Sequence, residues 1–123
     1  MEKDFIELYE ELVYNELGIC GCGSPEITVE MIVEYLKHKI EYSKKYKIGK
    51  DFEFYKKIYD EDSKWEENFI KENKGALFLF MLYMLNNKGF MEHGSNVYSS
   101  WVEEKGEKLI EYYEKVKQYD FEL

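Results

Sequence analysis

Hydrophobic residues recur every three to four positions near the start of the chain and alternate with acidic residues. The apolar positions are Phe5, Leu8, Tyr9, Leu12 and Val13. This spacing is that of an amphipathic helix with one apolar face. Gly18 follows at the position where helices commonly end in a left-handed residue. The pattern therefore predicts a first helix over residues 4–17 that ends at Gly18.

A second helical period follows the stretch CGCGSPE, residues 20–26. Ser24 suits an N-cap, because its hydroxyl can accept a hydrogen bond from a free backbone N–H, and Pro25 suits the first helical position. The apolar face then carries Val29, Ile32, Val33, Leu36 and Ile40. The sequence predicts a second helix that begins at Pro25, ends near Tyr46 and is joined to the first helix by a tight turn.

The middle of the chain changes from polar to strongly apolar. The polar residues 47–62 predict a short helix or an irregular turn. Ser63-Lys64-Trp65-Glu66 has the form of a capping box, in which Ser and Glu satisfy the first N–H groups of a helix, so a new helix is predicted from Lys64. Residues 75–87 are apolar on all sides, which predicts a central helix surrounded by neighbours. The residues of that helix that we expect to be buried are Leu79, Met81, Leu82 and Leu85.

After residue 89 the helical period gives way to two short runs typical of strands, FMEHG and VYSSWV, joined by a turn at Ser95-Asn96. The helical period returns from about Glu103. Its apolar face carries Leu109, Ile110, Tyr112, Tyr113 and Val116. The sequence therefore predicts a single domain, residues 1–123, of mostly α class: a helical domain with a two-stranded β-hairpin before the last helix.

The motifs of this last part are NNKGFMEHG, SNVYSSWV and EEKGEKLIEYY. Through them, residues 77–116 resemble the C-terminal half of winged-helix proteins of the MarR and PadR type, which implies a winged-helix-like end. The whole chain, with CGCGSPE early and EHGS, SW and KG late, also resembles a group of small uncharacterised proteins of phages and bacteria. That resemblance implies a phage or bacterial setting and brings no activity with it.

Charge argues against nucleic acid as a partner. The chain has 26 acidic residues against 17 basic ones, for a net charge of −9, and all of the basic residues are lysines. A negative field repels the phosphate backbone, and arginine is the usual bidentate reader of guanine. The helix before the wing, residues 76–85, is apolar and suited to a core rather than to the major groove. Nucleic-acid binding is therefore not the expected function.

The two cysteines and two histidines match, in number and type, the Cys2His2 ligand set of zinc sites: Cys20, Cys22, His38 and His93. The alternative is structural, because a disulfide or a chelate across one intervening residue is strained. A third interpretation makes Cys22 a nucleophile, with His93 as its base and Glu92 as the group that orients the base. We expect free thiols in a tight turn, with no metal, no cofactor and no catalytic residue.

The segment MEHGSN, residues 91–96, places several polar side chains in one hairpin turn: Glu92, His93, Ser95 and Asn96. Such a cluster suits a functional site, but it also suits a hairpin in which His93 and Ser95 bond backbone groups and Gly94 is left-handed. We expect the structural role.

Lysines interleaved with Tyr42 and Tyr46 form a basic patch at the end of the second predicted helix: Lys37, Lys39, Lys44, Lys45, Lys47 and Lys50. This patch is a possible binding surface. A solvated helix end is the alternative, since cations near a helix C-terminus are stabilising. The chain also has 12 tyrosines and 8 phenylalanines. Because tyrosine is favoured at protein interfaces, this composition favours a protein partner or a homodimer.

The start of the chain lacks a secretory leader pattern, and the most apolar run, residues 75–85, is about half the length of a bilayer span. We therefore expect a cytoplasmic protein without a membrane segment. The favoured function is a non-enzymatic protein-binding module, such as a phage or mobile-element accessory factor. The alternatives are a dimeric winged-helix DNA-binding regulator, and an acidic DNA mimic that inhibits a host enzyme through the carboxylates of residues 51–72.

Overall fold

The computed structural model describes residues 4–18, 27–49, 51–72 and 78–121. This part of the chain is mostly helical, with a two-stranded antiparallel hairpin before the last helix. The elements are α1 (Phe5–Glu10), a π-helical segment (Glu11–Leu17) that continues α1, α2 (Val29–Ile48), α3 (Phe52–Glu72), α4 (Phe78–Asn87), β1 (Met91–Glu92), a 3-10 turn (Val97–Ser99), β2 (Trp101–Val102) and α5 (Glu104–Phe121). The predicted fold class is confirmed.

The first helix begins and ends as its sequence indicates. The Asp4 carboxylate accepts a hydrogen bond from the N–H of Glu7 at 2.9 Å, so it caps α1. The helix widens into the π-helical segment, whose Val13 and Leu17 are buried. Gly18 follows with φ of 76°, the left-handed conformation predicted for it.

The second helix begins later than predicted. Thr28 is extended, and its hydroxyl accepts a hydrogen bond from the N–H of Met31 at 3.1 Å, so α2 begins at Val29. The predicted cap and first residue, Ser24 and Pro25, lie outside the described residues. A helix from Pro25 is nevertheless wrong, because the extended backbone at Thr28 would interrupt it. From Val29 the predicted apolar face is buried, apart from the half-buried Ile40.

The observed extent of the third helix contradicts two predictions. Residues 52–72 form one continuous helix, so an irregular turn over residues 52–62 is wrong, the short helix expected there is part of a longer one, and no new helix begins at Lys64. The helix is capped at its start by Asp51, whose carboxylate accepts from the N–H of Phe54 at 2.8 Å. Ile58 and Phe69 are eleven residues apart, and both are buried on one face of the helix. Packing of this face favours a helix that continues through Ser63. The apparent capping box therefore lies in a helix interior.

The fourth helix is only partly surrounded. Met81, Leu82 and Leu85 are 0% exposed, as predicted. Leu79 is 37% exposed, so its predicted burial is wrong, and Phe80 is 62% exposed. Because α4 packs through a single face, an apolar sequence on all sides does not mean a helix buried on all sides. Within the described ranges, no helix is both long enough and apolar enough to cross a bilayer.

One core cluster joins the helices and the hairpin. Its fully buried members include residues of α2 and α4, Phe90, and Leu109 of α5. The hairpin pairs Met91 with Val102 and Glu92 with Trp101. Only the last two residues of the predicted VYSSWV strand are extended in the sheet, because residues 97–99 form the 3-10 turn. The eight residues between the strands thus make a folded connection instead of a tight turn.

The glycine of the EEKG motif has a steric role. A Cβ at Gly106 would lie 2.6 Å from the carbonyl oxygen of Phe90 and 2.7 Å from Cγ1 of Val102. We expect Gly106→Ala to lower the free energy of unfolding by about 1–3 kcal/mol in urea denaturation, because the first turn of α5 would have to move away from the hairpin. Gly94→Ala is the control, since nothing lies within 4 Å of a Cβ there. Equal effects of both substitutions would contradict this explanation.

Candidate functional site

A cleft of about 700 Å³ opens between the C-terminal half of α2, the middle of α3 and the connection that leads into β2. Five aromatic side chains from these three segments line it: Tyr42, Tyr46, Tyr59, Tyr98 and Trp101. We call it the aromatic cleft. Several polar side chains also line it, so one surface offers rings, hydroxyls and charges together.

An ion cluster that we call the Lys39 cluster lies against the aromatic cleft. Lys39 is only 4% exposed, and its Nζ lies 3.5 Å from Oδ2 of Asp62. The other carboxylate oxygen of Asp62 lies 2.6 Å from Nε2 of His38. Because an ionised carboxylate only accepts hydrogen bonds, Nε2 carries the hydrogen. Asp62 therefore holds two side chains of α2 from its place on α3.

Aromatic rings surround the Lys39 cluster. The Nζ of Lys39 lies 5.7 Å from the ring centroid of Tyr35 and 5.4 Å from that of Tyr42. These rings are one turn of α2 before and after the lysine, and both can stabilise its charge. The imidazole of His38 stacks on Trp65, with centroids 3.7 Å apart and planes 2° apart. The rings shield the buried charges from water and fix their geometry.

The two carboxyl groups of α3 near the aromatic cleft differ in their pKa values. Burial on its own would raise the pKa of Asp62, but the hydrogen bond with His38 and the charge of Lys39 together lower it. Burial raises the pKa of Glu66, and the charge of Asp62 adds to this despite the opposing effect of Lys39. Asp62 is therefore stabilised as an anion, whereas folding works against the charge of Glu66.

Removing the charge of Glu66 should stabilise the folded chain. A raised carboxyl pKa contributes stability below the unfolded-state pKa, and that contribution is lost as the pH rises through the folded-state pKa. We therefore expect Glu66→Gln to raise the midpoint of thermal unfolding at pH 7, with a gain that shrinks towards pH 4. The control is Glu67→Gln, which removes an exposed neighbour paired with Lys71 at 3.4 Å. A lower midpoint for Glu66→Gln at pH 7 would contradict the effect of burial.

The hydroxyl of Tyr35, whose ring lies near Lys39, is another unusual polar group. It is fully buried and has no hydrogen-bond partner among the residues that the structure describes. Burial raises the pKa of this hydroxyl, and the charges of Glu66 and Asp62 raise it further. Tyr35 therefore remains neutral and acts as a ring that packs against Lys39 and Phe69.

Of the candidate Cys2His2 set, only the two histidines lie among the described residues, and each bonds a different side chain. His38 bonds Asp62, whereas Nδ1 of His93 lies 2.9 Å from Oδ1 of Asn86. Cys20 and Cys22 lie outside the described residues. Over the ranges that the structure covers, no group of three or more histidine, cysteine or acidic side chains is arranged to hold a metal ion.

The predicted lysine and tyrosine surface is divided by the structure, and its Lys39 is buried instead of exposed, because it pairs with Asp62. Lys50 lies outside the described residues. Tyr42, Tyr46 and Lys47 line the aromatic cleft. Lys37 instead forms an ion pair with Glu114 of α5. The remaining lysines are exposed and lie outside the lining: Lys44, which lies 3.5 Å from Glu41, and Lys45. The two tyrosines thus line the cleft, whereas Lys37 joins α2 to α5.

The polar residues of the predicted hairpin turn have separate structural positions. Asn96 caps the 3-10 turn by accepting from the N–H of Tyr98 at 2.8 Å. A shared hydrogen bond and charge repulsion with Glu103 raise the pKa of Glu92. Ser95 is exposed. The positive φ expected at Gly94 is wrong, and that conformation occurs at Gly89, with φ of 82°.

Sequence reasoning missed Asp62, Tyr98 and Trp101 as members of one site. One signal was present on α2, where Lys39 interrupts an apolar face that runs from Val29 to Ile40. A lysine at such a position needs a buried counter-charge. Its partner could be found only by extending the helical period of α3 through Ser63, so that Asp62 falls on the face shared with Phe69.

Comparison with protein-family models, with curated proteins and with solved structures gives no match. Neither a family nor a relative supplies a function, and the winged-helix resemblance of residues 77–116 stays a prediction.

Proposed function

We propose that this chain is a non-enzymatic protein-binding module and that the aromatic cleft receives a segment of a partner protein. The observation that carries the proposal is the exposure of aromatic rings around one concave surface. Tyr98 is 46% exposed and Trp101 is 44% exposed, although both have large apolar areas that water solvates poorly. Tyrosine and tryptophan are the residues most enriched among the side chains that dominate binding energy at protein interfaces.

The shape and stiffness of the aromatic cleft support the same proposal. Two of its walls are helices, and the Lys39 cluster holds them together through Asp62. Asn96 caps the 3-10 turn that carries Tyr98, and Trp101 donates its indole N–H to Glu103 at 3.1 Å. Rings held in place lose little conformational freedom on binding, which favours affinity. A phage or mobile-element accessory factor would act through such a preorganised surface.

A dimeric DNA-binding regulator is the second candidate, because Lys45 and Lys47 are exposed at the end of α2. These two lysines belong to the one lysine-rich patch that the sequence singles out. Electrophoretic retardation of duplex DNA at low salt separates the two candidates. A shift at micromolar protein that weakens steeply with added salt would favour the regulator, and no shift leaves protein binding as the proposal.

The protein-binding proposal predicts that loss of the cleft rings abolishes partner binding while the fold remains. A partner is first captured from a lysate of the source cells and purified. Its affinity is then measured for the wild type, for Tyr98→Ala combined with Trp101→Ala, and for Tyr14→Ala, which removes a 53% exposed ring from the π-helical segment. We expect the double variant to lose at least about tenfold in affinity, since rings at interface centres are worth about 2 kcal/mol or more.

The control variant shows whether a loss of affinity is specific to the aromatic cleft. Tyr14→Ala should bind within about twofold of the wild type, because well-separated surface sites act independently. Circular dichroism should give the same helix content for all three proteins. If the double variant binds the partner as tightly as the wild type does, the aromatic cleft is not the binding surface and the proposal is wrong.

A further inference from the structure

The charges that line the aromatic cleft are not all held in ion pairs. Lys39 is neutralised by Asp62 at 3.5 Å, and Glu67 is paired with Lys71 at 3.4 Å. Glu66 also lines the cleft, is half-buried, and forms no hydrogen bond or ion pair with any residue that the structure describes. The exposed Lys47 lies at the end of α2, two helical turns beyond Lys39. Glu66 is therefore the half-buried charge of the cleft without a direct partner among the described residues, whereas the lining Lys47 is exposed to water.

The rings that line the cleft together with Glu66 suit a positive ligand. An aromatic face carries negative electrostatic potential, and a cation within about 6 Å of a ring centroid is attracted to it. The protein already uses this interaction at several lysines, and at the cleft Lys39 lies near the rings of both Tyr35 and Tyr42. Tyr98 and Trp101 also line the cleft and have exposed surface. A cation that entered the cleft would therefore find aromatic faces and a carboxylate in the same lining.

We propose that the aromatic cleft binds a lysine or arginine side chain of a partner protein, with Glu66 as its counter-charge and with Tyr98 and Trp101 against its aliphatic and cationic parts. The inference rests on the proposed function and adds the chemistry of the partner. The net charge of −9 favours approach of a basic segment over an acidic one. A carboxylate that is costly to the free fold, as burial makes Glu66, is retained where binding requires it.

The test uses small probes, so that it does not depend on knowing the partner. N-acetyl-arginine methylamide is compared with N-acetyl-citrulline methylamide, which has nearly the same shape and no charge. Binding is followed by the NMR signal of the Trp101 indole N–H at fixed ionic strength. The chain has two tryptophans, and Trp101→Phe assigns the signal. We expect the arginine probe to shift this signal in a saturable way, and the citrulline probe to bind at least about tenfold more weakly, a difference of about 1.4 kcal/mol.

Two variants of α3 separate a specific counter-charge from general attraction. Glu66→Gln removes the cleft carboxylate, and Glu61→Gln removes the same charge from an exposed position of the same helix outside the lining. We expect Glu66→Gln to weaken the arginine probe at least about fivefold, a difference of about 1 kcal/mol, and Glu61→Gln to leave it within about twofold. Equal affinity for both probes, equal loss in both variants, or no shift of the Trp101 signal would each overturn the inference.

Failure of this inference differs from failure of the proposed function. If the citrulline probe binds as well as the arginine probe, and Tyr98→Ala with Trp101→Ala still loses the purified partner, the cleft binds a neutral segment and only the inference is wrong. If the arginine probe behaves as expected and the double variant keeps the partner, the cation site stands and the proposed function is wrong.

Discussion

Leu82→Ala is expected to lower the free energy of unfolding by about 2–5 kcal/mol, because it deletes a side chain from a close-packed core. Leu82 is 0% exposed and belongs to the cluster that joins α2, α4, α5 and the hairpin. The loss has two parts, the lost burial of the removed methyl groups and the cavity that the neighbours cannot fill. Urea denaturation followed by circular dichroism measures it directly.

The matched control for this substitution lies three residues earlier on the same helix. Leu79 is 37% exposed, so Leu79→Ala removes the same atoms from a partly solvated position. We expect a loss of about 1 kcal/mol or less, in line with partial burial. Similar losses for the two variants would show that α4 does not pack through the face that carries Met81, Leu82 and Leu85.

Asp62→Asn is expected to cost about 3 kcal/mol, because it leaves Lys39 buried without its counter-charge. Lys39 is 4% exposed and depends on Oδ2 of Asp62 at 3.5 Å, and His38 would lose its carboxylate acceptor as well. The lowered pKa of Asp62 also gives the sign of the pH dependence. Its stabilisation is present above the unfolded-state pKa of about 3.9 and is lost as the pH falls through the lower folded-state pKa. The difference between variant and wild type should therefore shrink in acid.

Two further variants distinguish a buried ion pair from an ordinary surface contact. Glu111→Gln breaks the exposed pair with Lys115 at 3.2 Å and should cost less than about 1 kcal/mol. Asp62→Asn combined with Lys39→Met removes both charges and should recover most of the loss. If the double substitution is as unstable as Asp62→Asn alone, the unpaired charge of Lys39 is not the cause.

Local patterns predicted the fold class because the helical period is a property of each segment alone. The left-handed Gly18 and the apolar face of α2 follow directly from residue type and spacing. The start of α3 and the exposure of Leu79 could not be predicted from residue type and spacing. Ser63-Lys64-Trp65-Glu66 satisfies a capping pattern, yet the same residues continue a helix when Ile58 and Phe69 pack on one face. Tertiary packing decides between the two, and the sequence does not show it.

The aromatic cleft was only partly predictable for the same reason. Tyr42 and Tyr46 stood out because they lie in one lysine-rich stretch. Tyr59, Tyr98 and Trp101 come from two other segments, and no spacing along the chain indicates that they meet. The buried Lys39 was the clue to a counter-charge, but Asp62 is 23 residues away in another helix. A site assembled from three segments becomes visible only once the fold is known.

The central claim is that a partner protein contacts the aromatic cleft, and site-specific photo-crosslinking tests it most directly. The photoreactive residue p-benzoylphenylalanine replaces Tyr98 in one protein and Tyr14 in another, since the two tyrosines are similarly exposed at 46% and 53%. Both proteins are irradiated with the purified partner and analysed by mass spectrometry. We predict a crosslink from position 98 and none from position 14. A crosslink from position 14 alone, or equal yields from both positions, would contradict the account.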